Sequence, residues 1–161
     1  MKKILLSLVL LFSSASAIEL GSFTLSPEIA ANLGYAPNND NDFTYGGLGR
    51  VWLGTSHILL APQVKYDVTG IKKSFENLQV GGLLGIQIPV IDLIIYGGAS
   101  WSHFYNVGLD DTWAINYGFT IGVPFIPFLT IGIDASYQEP KFPIGGKSTM
   151  NRVGVTIGLA F

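Results

Sequence analysis

His103 is the side chain here with most scope for acid–base chemistry: an imidazole changes charge near neutral pH, and two carboxylates, Asp110 and Asp111, follow it closely. A hydrolytic site of that type also needs a hydroxyl or thiol nucleophile within hydrogen-bond reach of the base. The neighbouring hydroxyl, Ser102, is adjacent in sequence, so in an extended strand it points to the opposite face. The chain has no cysteine, which removes thiol catalysis, disulfides and Cys-based zinc sites together. His57 and His103 are far apart and form no i,i+4 pair, so no metal site is expected. Gly146-Lys147-Ser148 imitates the end of a phosphate-binding loop, but that motif requires glycine where Lys141 stands, and a helix afterwards. Gly46-Gly47-Leu48-Gly49 likewise has no helix after it; such glycines serve bends or close backbone approach. The expectation is no cofactor, no metal and no enzyme. Nine Lys+Arg and a net charge of −2 offer no basic stripe for nucleic acid.

A second set of charges is distributed differently. Glu28, Arg50, Lys65, Asp67, Asp134 and Arg152 fall on the small or polar phase of segments whose other phase is apolar. Side chains one apart on a strand face opposite ways, so such alternation is the mark of a half-apolar strand. Val153, Val155, Ile157, Leu159 and Phe161 alternate with Arg152, Gly154, Thr156, Gly158 and Ala160. Leu129 to Gln138 and Thr112 to Val123 keep the same period, as do Leu78 to Ile88, Leu59 to Val68 and Phe23 to Tyr35. Two segments alternate less cleanly, Phe43 to Thr55 and Leu93 to Tyr105. In the former, Arg50 is oriented inward, because a lipid-facing Arg at mid-depth costs about 2–4 kcal/mol. The count is eight.

What these strands enclose follows from composition. Hydrophobic residues make up 48% and charged residues 12%, too few charges for a water-soluble domain of this length. The greasiest stretch, Ile86 to Ala99, is interrupted by Gln87 and Asp92, too early for a spanning helix. Lipid leaves only helices and closed barrels able to satisfy every backbone group, so the reading is an all-β, eight-stranded antiparallel up-and-down transmembrane β-barrel. Connections alternate in length as such barrels require. The turns at 55–57, 89–92 and 124–127 are tight; 36–42, 69–77, 106–112 and 139–150 are longer and more polar. Ile88-Pro89-Val90-Ile91 echoes Val123-Pro124-Phe125-Ile126, read as two similar hairpin turns. Aromatics gather at the strand ends, as interfacial belts do: Tyr35, Phe43, Tyr45, Phe75, Tyr105 and Trp113 at one rim, Phe23, Phe125, Phe128 and Phe161 at the other.

Lys2 and Lys3, the apolar run Ile4 to Phe12 and Ala15-Ser16-Ala17 have the order of a secretory signal peptide. Residues 1–17 are therefore expected to be cleaved, leaving 18–161 as one barrel domain in the outer membrane of a Gram-negative cell. With an even strand number, both termini lie in the periplasm. The absence of cysteine fits export through that oxidising compartment.

Length, alternation and the ending Val155-Thr156-Ile157-Gly158-Leu159-Ala160-Phe161 resemble the small outer-membrane barrels, the class that includes the transmembrane domain of outer membrane protein A and outer membrane protein X. The resemblance implies that Phe161 is a signal read by the barrel-assembly machinery. It also brings in the lipid A deacylases, barrels that use a histidine and a serine two residues later on the lipid-facing surface. Here Tyr105 stands at that place, so the match breaks at the nucleophile.

An eight-stranded barrel is just wide enough inside to be filled by side chains. Buried charges must be paired, so the six charges are expected to form an ion-pair and water network plugging the lumen, with Arg152 facing one of the acids. The function expected is that of a non-enzymatic, structural or surface-interacting barrel, with a narrow gated pore for ions or small solutes as the alternative. Lys72 and Lys73 are placed to meet lipopolysaccharide phosphates. A self-closed sheet leaves no edge demanding a neighbour, so a monomer is expected.

Overall fold

The computed structural model describes residues 23–37, 42–55, 57–70 and 75–161. The proposed signal peptide, Lys72 and Lys73 lie outside the described residues. Eight antiparallel strands follow one another: β1 Phe23–Ala36, β2 Asp42–Thr55, β3 Ile58–Thr69, β4 Phe75–Ile88, β5 Leu93–Tyr105, β6 Thr112–Gly122, β7 Leu129–Gln138 and β8 Met150–Ala160. Each pairs with its sequence neighbours, and β8 returns to β1, Ala31 opposite Ile157, to close the barrel. Closure abolishes the edges that an open sheet would leave unpaired.

The period-2 pattern becomes two surfaces. On β3, Leu60, Val64 and Tyr66 are exposed while Leu59, Gln63, Lys65 and Asp67 are buried. On β8, Val153, Val155, Ile157 and Leu159 face out and Arg152 and Thr156 face in. Large apolar side chains thus cover the outside and polar ones fill the inside, the inverse of a water-soluble domain. No described helix is long and apolar enough to cross a membrane; the only helical piece described is one 3₁₀ turn, Pro89–Ile91.

The short connections gather at one end with the first and last strand ends, and the long ones at the other. At the short-turn end Phe161 stacks on Phe128 with ring centroids 5.6 Å apart. Its amide donates to Pro27 O at 2.9 Å, tying the chain end to β1. At the long-loop end one rim assignment needs correction. Phe75 points into the lumen, where it is 9% exposed and packs on Phe104 at 6.3 Å. The reason is that β4 begins earlier than its alternation shows: Phe75 pairs with Thr69 and Asn77 with Asp67, which places the odd-numbered residues inside.

Inward glycines allow this narrow closure. A Cβ on Gly46 would come within 2.1 Å of Tyr66 O, so β2 and β3 approach there only because no side chain stands between them.

Candidate functional site

The lumen is where the charged side chains meet. Near the short-turn end, β1 and β2 place Glu28 opposite Arg50. The guanidinium holds the carboxylate with two bonds, Nε to Oε2 at 2.8 Å and Nη2 to Oε1 at 2.9 Å. Trp52 Nε1 donates to the same carboxylate at 2.8 Å, and Thr130 Oγ1 at 3.3 Å. Arg50 also lies over the rings of Tyr96 (4.7 Å) and Trp52 (4.9 Å). A planar cation gains from both a bidentate acid and aromatic faces, which a lysine could not match.

The second cluster crosses the barrel. Lys65 on β3 bonds Asp134 on β7 and Asn116 Oδ1 on β6, the latter at 3.1 Å. β3 and β7 are on opposite walls of the closed sheet, so this bond spans the lumen. Arg152 on β8 reaches Asp67 on β3 and, at 3.2 Å, Asp134 Oδ1. Tyr96 O–H donates to Asp134 Oδ2 at 3.2 Å, which joins the two clusters through one side chain. All six charges named from the sequence are buried, and three cations face three carboxylates. Arg50 Nη1, Gln63 Oε1 and Gln79 Oε1 are buried with no hydrogen-bond partner among the described residues, an arrangement that buried polar atoms ordinarily resolve through water.

Toward the long loops the filling changes character. Asn77 Nδ2 donates to Ser102 Oγ at 2.6 Å and Ser102 to Gln138 Oε1 at 2.7 Å. Beyond them Phe75, Phe104, Leu109 and Met150 form an apolar stopper, with Val107 packed against it. A second apolar group, Trp52, Leu59, Ala61, Leu83, Ile94 and Tyr96, is also inside. Neither group follows from a search for charges. The available signal was phase, since Trp52 is two residues from Arg50, and Phe104 two from Ser102.

On the outer wall His103 Nδ1 lies 2.6 Å from Asp111 Oδ1, with the Tyr105 ring edge-on at 4.5 Å. Ser102 points inward and donates to Gln138, so the pair is a base and an acid with no serine from its own strand. Glu139 accepts from Tyr137 O–H and lies 3.8 Å from Lys147. Among the described residues no group of His, Cys, Asp and Glu is arranged to hold a metal.

No family model matches this chain, and no curated protein does either. Solved structures do. Neisserial surface protein A superposes with a TM-score of 0.59 at 8% identity, over 84% of this chain and 95% of that one. The N-terminal β-barrel domain of Pseudomonas aeruginosa OprF gives 0.57 at 16% identity, over 84% and 97%. Ail, the attachment invasion locus protein of Yersinia pestis, in complex with the heparin analogue sucrose octasulfate, gives 0.54 at 13% identity, over 85% and 97%. This chain has the fold of the small eight-stranded outer-membrane β-barrels. Within that fold the described interior runs from the apolar stopper through the amide layer and the crossing ion pairs to the Glu28–Arg50 pair, whose guanidinium lies over the Tyr96 and Trp52 rings.

Proposed function

We propose that this protein is an integral outer-membrane barrel without enzymatic activity, which keeps its lumen closed and acts as a structural element or through its outward loops. The observation that carries the reading is the bond from Lys65 to Asp134 across the barrel, with Arg152 bound to both acids beside it. A side chain anchored on both walls obstructs the middle of the lumen. Burial favours the same reading, since ions held away from bulk water are tolerated only when paired. The short-turn end faces the periplasm with both termini, and the long loops face outward, in keeping with the general arrangement of such barrels. The barrel is a monomer, delivered by the assembly machinery through Phe161 and seated among lipopolysaccharide. Lys72 and Lys73 on the β3–β4 connection, with Lys141 and Lys147, are the cations offered to phosphate or sulfate groups; a sulfated ligand is what Ail carries.

The refolded protein should migrate differently on a gel before and after boiling, and in a planar bilayer it should pass no stable current steps. Reproducible openings would replace the closed scaffold with a narrow gated pore. The His103–Asp111 pair is read as an interfacial polar contact. Overexpression of the wild type should therefore leave lipid A mass spectra unchanged, and His103→Ala should give the same spectrum; a deacylated species lost in the variant would make it an enzyme.

A further inference from the structure

The short-turn end opens into a blind vestibule of about 530 Å³, within the range of small-molecule sites. Its two sides differ. The β1, β6 and β7 side carries the hydroxyls of Thr24, Ser26, Thr120 and Thr130, while Trp52, Leu59 and Ile94 make an apolar side from β2, β3 and β5. The floor is the Glu28 carboxylate, closed by Arg50 and Trp52. The mouth is a collar from the two echoing turns, Pro89, Val90 and Ile91 on one side and Pro124, Ile126 and Pro127 on the other. Val90 is 93% exposed.

The charge of this cavity is one-signed. Among the described residues lining it there are two acids, Glu28 and Asp92, and no lysine, arginine or histidine. Glu28 is neutralised by Arg50 behind it. Among the described residues Asp92 has no such cation beside it and accepts a side-chain hydrogen bond only from Gln87 Nε2, at 3.4 Å. Its position is built. Asp92 holds a left-handed backbone (φ 47°), its amide donates to Pro89 O at 3.3 Å, and its carbonyl accepts from Gly122 N at 3.0 Å.

We propose that this vestibule is a binding site for a small amphipathic cation, an amine carried on an aromatic or alkyl tail. The tail packs against the exposed collar side chains Val90, Ile91 and Ile126, above the buried Leu59 and Ile94, and the ammonium faces Asp92 with the half-buried Thr24 and Ser26 hydroxyls as further acceptors. An anionic head is disfavoured by Asp92, since Glu28 is already neutralised by Arg50, and passage is blocked by the floor. The compartment from which the ligand comes rests on the orientation proposed above; binding itself does not.

The test is a methyl NMR titration of the nanodisc-embedded barrel with phenylbutylammonium, phenylbutanol and phenylbutyrate, which share a tail and differ in head charge. Leu59 and Ile94 face the vestibule, and their sequence neighbours Leu60 and Ile95 face the lipid, so each strand carries its own control for partition into the bilayer. Phenylbutylammonium should shift Leu59 and Ile94 saturably and leave Leu60 and Ile95 in place, with phenylbutanol weaker and phenylbutyrate without effect. Asp92→Asn, which suits the left-handed backbone, should weaken the amine about 3- to 5-fold. Parallel shifts on both faces, equal affinity for phenylbutyrate, no shift at all, or an Asp92→Asn barrel with unchanged affinity would each overturn the site. A conducting barrel would instead fail the closed-lumen reading in the bilayer experiment, and this titration would still report on the vestibule.

Discussion

Asp134→Asn should destabilise the barrel by about 3–5 kcal/mol, the loss expected when a buried pair is broken from one side. Asp134 is the common acceptor of Lys65, Arg152 and Tyr96. Asparagine keeps the volume and removes the charge, so Lys65 loses its acid and keeps only neutral acceptors, among them Asn116 Oδ1 at 3.1 Å. Arg152 still has Asp67. Lys65→Met should therefore be milder, because Asp134 would keep Arg152 and Tyr96 as donors. The measurement is urea unfolding of the vesicle-inserted barrel, followed by the gel-mobility difference between folded and unfolded forms. A loss below about 1 kcal/mol, the scale of a solvent-exposed pair, would mean that water already screens the cluster. The closed-lumen reading would fall with it.

The second large effect belongs to the other pair. Glu28→Gln should cost about 3–5 kcal/mol, since Arg50 would then sit between Tyr96 and Trp52 with no acid. Arg50→Met alone should be comparably harmful, leaving a buried carboxylate with only Trp52 and threonine donors. The double variant Glu28→Gln with Arg50→Met removes both charges and leaves the glutamine oxygen to accept from Trp52. It should cost less than either single variant, which requires a coupling between the sites of more than about 3 kcal/mol. Simple additivity in the double variant would show that the two side chains act independently, against the geometry of a bidentate pair.

Legibility from the sequence differed from strand to strand. β5 and β7 span Leu93–Tyr105 and Leu129–Gln138, the limits that alternation and the flanking turns indicate. Alternation is a local property, written wherever one face meets lipid. At β4 residue type misled: Phe75 lies on the phase opposite Leu78, Val80 and Leu84, so the period carried back to the strand's start turns this aromatic inward. Such a residue looks like a member of the interfacial belt until the register with Thr69 is known. The β5 phase was readable only through Ser102 and His103, because Ile94 and Ile95 are chemically alike yet face opposite ways.

The sequence by itself determined the eight alternating segments, the direction of Arg50, the confinement of six charges to the inner phase and the absence of a serine beside His103. These are consequences of the two-residue strand period and of residue type. Even the Glu28–Arg50 pair lies within reach of such reasoning, because a hairpin centred on its loop sets those two residues opposite each other. Which charges join across the lumen, and what else fills it, only the tertiary structure decided. Lys65 meets Asp134, and Arg152 meets Asp67, between strands that are not neighbours. Their meeting depends on strand tilt and stagger around the closed sheet, a global quantity that no local period records. The vestibule has the same origin, for Asp92 and Leu59 acquire a common cavity only when the barrel closes.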